Sequence, residues 1–361
     1  MSTGQQTPRV LLDHGNTCDT RERGLVTPDA SALRSPGSGS GPDPGDPLVA
    51  TPVVASYRQQ IELAAEELRR RLPGSTFRPF EPMARHTTFR IGGPADLFVQ
   101  PTDGDDLTAA VAFAHAKGLP IRVIGNGSNL LVGDRGIRGL VVRLAPHFSE
   151  MEWREDGVIA GGGARLGKLV KTAAEMGLSG LESTVGIPGT LGGALATNAG
   201  TDTGCVGDLV VTATVLENGG RVAEWSAAQL AYRYRHSSIC AAGAVVLSAR
   251  LKLQPAPREE IWAKVERLRQ KRAGRQPLRA WSAGSVFKNL RAVAAGKVLH
   301  RAGAKGLRVG DAQVSLKHAN FFINRGRATA AEMRELIERM HALALRRYGV
   351  DLELEIEMVG E

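Results

Sequence analysis

Apolar residues Ile61, Ala64, Ala65, Leu68 and Leu72 fall three or four positions apart, the period of one helix face, and Pro73-Gly74 stops that helix. From about residue 89 to 253 the pattern changes. Short apolar, β-rich runs bounded by glycine predict strands over residues 96–99, 121–124, 140–144, 210–216 and 245–253. Helical spacing over residues 105–115 and 166–176 lies between them, so the texture is α+β or α/β. Beyond Pro255-Ala256-Pro257 a helix is expected over residues 258–271, with Ile261, Val265 and Leu268 on one face. Thr329-Ala330-Ala331-Glu332 is a capping box. It opens a helix carrying Met333, Leu336, Ile337, Met340 and Ala344, which Gly349 closes. Residues 351–357 alternate Leu352, Leu354 and Ile356 with Glu353, Glu355 and Glu357, a strand with one polar face. No internal repeat is present.

Residues 1–54 read as a disordered leader. Residues 35–47 are almost wholly Ser, Pro, Gly and Asp and have no apolar area to offset the entropy of ordering. The chain has 361 residues, enough for one large domain or two ordinary ones. Three cysteines, Cys18, Cys205 and Cys240, make no disulfide framework and no pair sits at zinc-ligand spacing. His86, His236 and His300 show no ligand spacing either, and no metal is expected. No apolar run reaches the length of a membrane span, and no signal peptide is visible, so a cytoplasmic protein without a membrane partner is expected.

The formal net charge is +9, which raises the question of nucleic acid. The basic residues are spread, however. Their local clusters at residues 69–71, 267–275 and 346–347 suit helix surfaces or helix C-termini. Aromatic residues are only 5%, too few for a base-stacking platform, so no nucleic-acid partner is expected. A small anionic substrate would use the same field.

Glycine supplies the first chemical signal. Gly125-Asn126-Gly127-Ser128-Asn129 follows the strand candidate 121–124, and such a turn exposes backbone N–H groups that can hold phosphate. Leu130 stands where a Rossmann fingerprint needs its third glycine, and no P-loop Lys follows. Alone, this loop is equally a tight turn. Gly161-Gly162-Gly163, Gly186-Ile187-Pro188-Gly189-Thr190-Leu191-Gly192-Gly193 and Asn198-Ala199-Gly200 follow it. Small residues at that density suit backbone laid against a large ligand with a pyrophosphate, without saying which dinucleotide.

Together with Thr88-Phe89-Arg90-Ile91-Gly92-Gly93, these loops resemble the UDP-N-acetylenolpyruvoylglucosamine reductase family. The likeness continues through Tyr234-Arg235-His236-Ser237, Gly284-Ser285-Val286-Phe287-Lys288-Asn289, Lys317-His318-Ala319-Asn320 and Leu352-Glu353-Leu354-Glu355. It covers about residues 80 to 360. The chain departs from the family pattern at Trp281 and Leu290, where Pro is usual, and at Thr201-Asp202-Thr203-Gly204. Arg235 and Ser285 are 50 positions apart, as in the shorter form of the family, which lacks a loop carrying a lid tyrosine.

The resemblance implies an α+β fold. A two-lobed FAD-binding module of the vanillyl-alcohol-oxidase type would span residues 55–255 with its leading helix. A smaller α+β substrate-binding domain would follow over 256–348, and a C-terminal strand, 349–361, would return to the cleft. It implies non-covalent FAD, NADPH as co-substrate, and reduction of UDP-N-acetylglucosamine enolpyruvate to UDP-N-acetylmuramate in peptidoglycan precursor synthesis, by a monomer. Arg235 and Glu355 would stabilise an aci-carboxylate at the substrate's acid end, and Ser285 would donate the proton. A Ser nucleophile is the weaker reading, because Gly-Ser-Val-Phe-Lys supplies neither a base nor a nucleophile elbow. Arg90, Gly125, Asn126, Gly127, Ser128, Asn129, Gly186, Ile187, Gly192 and Gly193 would meet the flavin nucleotide. Tyr234, Lys288, Asn289, His318 and Asn320 would meet the substrate. The rival readings are an FAD-linked oxidase of another alcohol or sugar, a non-catalytic flavin binder, and a basic nucleic-acid binder.

Overall fold

The computed structural model describes residues 52–144 and 148–361. Most of the expected leader, and Cys18 with it, lies outside the described residues. Its last three positions, 52–54, already belong to helix α1 (Pro52–Arg71). That helix buries Ile61 and packs Ala65 and Leu68 against the first sheet, and it ends before Pro73-Gly74, as its spacing dictates.

The first sheet has the order β1 (Thr76–Pro82), β2 (Pro94–Gln100), β5 (Ile137–Arg143), β3 (Ile121–Ile124). β1 pairs antiparallel with β2, while β2, β5 and β3 run parallel. Helix α2 (Gly104–Ala116) provides the crossover between β2 and β3, capped by Asp103, whose carboxylate accepts from the Asp106 N–H. Leu97, Val99, Leu140 and Val142 meet Leu107, Ala110 and Phe113 beneath it. The parallel arrangement brings the C-terminal end of β3, and hence Gly125 onward, to the rim of the sheet.

The second sheet is antiparallel and five-stranded. Its order is Val222–Ser226, Val210–Leu216, Val245–Lys252, Gly157–Gly161, Met151–Arg154. Helix α3 (Leu166–Met176) packs Leu166, Leu169, Val170 and Ala173 into its core and closes on Gly177 in the left-handed conformation. The helix Arg258–Arg275 follows the boundary expected at 255. It adds Ile261 and Val265 to this same core, with Leu268 packed against it.

A third core gathers around the helix Ala330–Tyr348 and the small sheet Arg308–Val309, Ala312–Val314, Phe322–Asn324. It draws Phe89, Ile91 and Leu131 from the N-terminal half of the chain to pack with Phe287, Phe322, Met333 and Leu336. The capping box at Thr329 forms as its residues dictate, and Gly349 ends the helix in the left-handed conformation. Asp134 reinforces the start of this helix: its two carboxylate oxygens accept from the Ala330 and Ala331 N–H groups at 2.7 and 2.9 Å.

The C-terminal strand differs from its alternating pattern. Instead of one strand over 351–357, residues 353–356 run beside residues 286–288, with the Lys288 N–H donating to the Glu353 carbonyl and the Glu355 N–H to that of Val286. Only Glu357–Val359 form a ladder, parallel to β4 (Leu130–Val132). The chain changes partner at Ile356, because Leu352 and Ile356 enter the third core while Val359 is buried in a neighbouring cluster.

Candidate active site

Three of the glycine-rich segments, 125–129, 161–163 and 186–193, converge. The Asn126 side-chain amide donates to the Pro188 carbonyl at 2.5 Å. The Thr88 N–H donates to the Gly127 carbonyl, which ties the 86–90 turn to the same loop. Gly127 has φ +59°, and a Cβ there would lie 2.0 Å from the His86 carbonyl oxygen, so no other residue fits without moving backbone. Thr190 begins helix α4 (Leu191–Ala196) and lies against Gly125, while Gly192 donates to the Gly162 carbonyl at 2.7 Å.

Within this cradle, the backbone N–H groups of Asn126, Gly127, Ser128 and Asn129 find no acceptor among the described residues. Four successive free donors form an anion-binding nest, the feature a dinucleotide diphosphate requires. The residues present therefore fit FAD at the place the sequence indicates. Arg90 lies at the edge in a left-handed conformation, φ +58°, with its guanidinium 5.9 Å from the Trp281 ring centroid.

Arg235 and Glu355 meet. Arg235 Nε donates to Glu355 Oε1 at 2.5 Å, Nη2 donates to the Gly200 carbonyl at 3.1 Å, and Nη1 reaches toward the Asn198 carbonyl at 3.4 Å. Arg235 itself has φ +53°, a strained conformation for a side-chain-bearing residue, held by a tight turn between Arg233 and His236. Burial pushes the Glu355 carboxyl above the ordinary carboxylate range, against the opposing pull of Arg235 and of the Lys288 ammonium. A carboxyl of this kind is poised to be protonated when a second anion enters.

Ser285 stands next to this pair through the backbone. It bridges to Phe321 on one side, and the following residue, Val286, accepts from the Glu355 N–H. Ser285 is half-buried. Asn129 staples the far end: its side-chain amide donates to the Glu355 carbonyl at 3.0 Å, while its own carbonyl accepts from the Glu357 N–H at 2.9 Å. The glycine loop and the catalytic candidate Glu355 are thus joined through one residue.

The substrate-side candidates divide. Tyr234 is 54% exposed, and its hydroxyl accepts from the Asn289 N–H at 3.1 Å. Lys288 Nζ lies 3.2 Å from Glu353 Oε2 at the surface. His318 is held below its ordinary value by burial and by Lys305, and its Nδ1 accepts from the Asn320 N–H. The neutral ring therefore carries its proton on Nε2. Asn320 differs from the expected direct contact with substrate. It is 1% exposed, and its amide clasps the Phe287 backbone, accepting from the N–H at 3.0 Å and donating to the carbonyl at 2.8 Å. These bonds fix the backbone two residues after Ser285.

Two residues escaped the sequence reading. Asn198 is buried in a left-handed conformation, φ +46°. Its side chain accepts from the Gly207 N–H and donates to the Arg233 carbonyl, so it shapes the turn that presents Arg235. Arg272, read as one of a surface cluster, turns inward against Gly186. Its signal was present: positions 261, 265, 268 and 272 keep one helical face, so Arg272 continues the stripe that Ile261, Val265 and Leu268 bury.

The FAD-binding-domain family model matches residues 95–226, the part of the chain that carries the N–H nest, and this makes the protein a flavoenzyme, an oxidoreductase that binds FAD. The family model for the C-terminal domain of UDP-N-acetylenolpyruvoylglucosamine reductase matches residues 276–359. The reductase of Moorella thermoacetica is 48% identical over 286 residues, covering 78% of this chain and 92% of that protein. That of Agathobacter rectalis is 45% identical over 293 residues, covering 78% and 93%. The crystal structure of the reductase from Thermus caldophilus superposes with a TM-score of 0.69 at 37% identity, over 79% of this chain and 99% of that one. This chain belongs to the UDP-N-acetylenolpyruvoylglucosamine reductase family.

Proposed function

We propose that the protein reduces UDP-N-acetylglucosamine enolpyruvate to UDP-N-acetylmuramate, with NADPH as the reductant, in peptidoglycan precursor synthesis. FAD, when bound, would supply the two-electron hydride chemistry that links NADPH to the terminal carbon of the enolpyruvyl double bond. The donors of Asn126, Gly127, Ser128 and Asn129 hold its diphosphate. Gly125, Gly186, Ile187, Gly192, Gly193 and Arg90 shape the rest of its bed.

The observation that carries this reading is the Arg235–Glu355 pair beside Ser285, at the rim of the glycine cradle. An enol ether accepts hydride readily only if negative charge can spread into its carboxylate. Arg235 offers that carboxylate a fixed planar fork. Glu355, already pushed toward its neutral form by burial, gains a proton as the substrate's own carboxylate approaches and then donates a hydrogen bond to the growing charge. Ser285 passes its hydroxyl proton to the carbon next to the one that receives hydride. Tyr234, Lys288, Asn289 and His318 bind the sugar nucleotide, and Asn320 positions the segment that bears Ser285. The FAD part is best drawn through Arg275, because the helix Arg258–Arg275 shares the second core, and the substrate part from residue 276 onward. We assign the protein to the cytoplasm as a monomer. No helix among the described residues is long and apolar enough to cross a membrane.

The test is anaerobic. NADPH should bleach the yellow flavin of the purified protein, and the enolpyruvyl sugar nucleotide should restore it with stoichiometric formation of UDP-N-acetylmuramate. A flavin that NADPH bleaches but only oxygen restores would support an oxidase and overturn this reading.

A further inference from the structure

Arg272 is a half-buried cation with no hydrogen bond or ion pair among the described residues. It lies in the last turn of the helix Arg258–Arg275, and its Nε is buried with no acceptor. Its stem rests on Gly186, where φ is +76° and an added Cβ would lie 3.3 Å from Nε and 3.5 Å from Cδ. Among the described residues no carboxylate forms a salt bridge with it. Asp202 attracts it from farther off, but that carboxylate is engaged at 2.6 Å by Lys271. Among neighbouring charges the strongest influence on it is that of Arg235, which repels it, and Arg235 already holds Glu355. Burial and that repulsion both weaken its hold on its proton, yet a guanidinium stays charged.

A charge whose Nε is buried without an acceptor is destabilising and gains nothing from apolar packing. Such a cost persists where an anion forms during the working cycle. On the function proposed above, one does. Transfer of hydride breaks a nicotinamide C–H bond and brings two electrons and one proton to a neutral oxidised flavin, which then carries one net negative charge. That charge leaves when the hydride moves on to the enolpyruvyl carbon and the Ser285 proton completes the product.

We propose that Arg272, packed on the Gly186 turn and facing Arg235, is the fixed counter-charge of the reduced flavin and sets its midpoint potential. A cation fixed there favours the anionic reduced form over the neutral oxidised form. The substrate's carboxylate and diphosphate are the competing anions, so the measurement is made without substrate.

The holoenzyme and its Arg272→Gln and Arg272→Lys variants are titrated spectroelectrochemically. The Gln variant should lose about tenfold or more of its preference for the reduced state, a fall of about 30 mV for a two-electron couple. The Lys variant should keep most of the wild-type potential. If Gln abolishes FAD binding, the Lys variant is titrated against pH, and its potential should fall relative to wild type where the ammonium deprotonates. A Gln variant with an unchanged potential, or a Lys variant that tracks wild type through deprotonation, overturns the inference. So does a rise in KM for the enolpyruvyl sugar nucleotide with the potential intact, which would place the charge on the substrate. Wild-type protein that NADPH does not reduce would fail the functional reading itself. Wild-type protein that cycles normally while its potential ignores residue 272 fails only this inference.

Discussion

Arg235 Nε and Glu355 Oε1 lie 2.5 Å apart, although 120 positions separate the two residues in the chain. On the function proposed above, the pair would hold the acid end of the substrate, and its two members would do different work. Arg235 is a permanent charge. Replacing it with Met should leave NADPH reduction of the flavin within a few-fold of wild type while slowing reoxidation by substrate by about 10²–10³-fold, the loss typical of one transition-state donor. Stopped-flow measurement of the two half-reactions separates these effects, and equal slowing of both would show that Arg235 serves the whole cleft.

Glu355 is a titratable donor, and burial raises its pKa. Its neutral form, the one that can donate, is present below that raised value and is lost as pH rises through it. The reoxidation rate should therefore decline on the alkaline side of the ordinary carboxylate range. In Glu355→Gln, whose amide donates at every pH, that decline should disappear and the maximal rate should drop by about tenfold. A pH profile of the second half-reaction checks this, and a decline that persists in the Gln variant would point to another group.

Asn320 holds both polar groups of the Phe287 backbone out of contact with water. Asn320→Ala leaves a buried N–H and a buried C=O unpaired and should cost about 2–4 kcal/mol of stability. The flavin should still be reduced by NADPH, but reoxidation should weaken as the Ser285 segment loosens. Urea unfolding followed by half-reaction kinetics reads both effects.

Asp134 caps the helix Ala330–Tyr348 with both carboxylate oxygens. Asp134→Ala should lower stability by about 1–2 kcal/mol, and Asp134→Asn by less, since the amide oxygen still accepts one bond. Neither should change the flavin midpoint potential, which makes the pair a control for general loosening.

Local structure was legible wherever one segment carries its own signal. The helix Leu166–Met176 and the strands Ile121–Ile124 and Val210–Leu216 have the ends that their periodicity and flanking residues dictate. The capping box at Thr329 needs nothing beyond four consecutive residues. The C-terminal strand was misjudged because alternation does not specify a partner, and this segment uses two, residues 286–288 and then Leu130–Val132. The meeting of Arg235 and Glu355 was reachable only by resemblance. Each alone reads as a surface charge, and their contact depends on Asn129 anchoring the chain at 355–357. Arg272 was hidden by its charge, since a basic residue at a helix end suits solvent and the helix dipole as well as a cleft.

On the proposed mechanism Ser285 gives its proton to the substrate and takes no part in reduction of the flavin. Anaerobic stopped-flow of Ser285→Ala, followed at the flavin band, tests this most directly. Bleaching by NADPH should run at near the wild-type rate, and recovery on adding the enolpyruvyl sugar nucleotide should then be slowed by at least about 10²-fold. Recovery at the wild-type rate, with UDP-N-acetylmuramate formed, would contradict it.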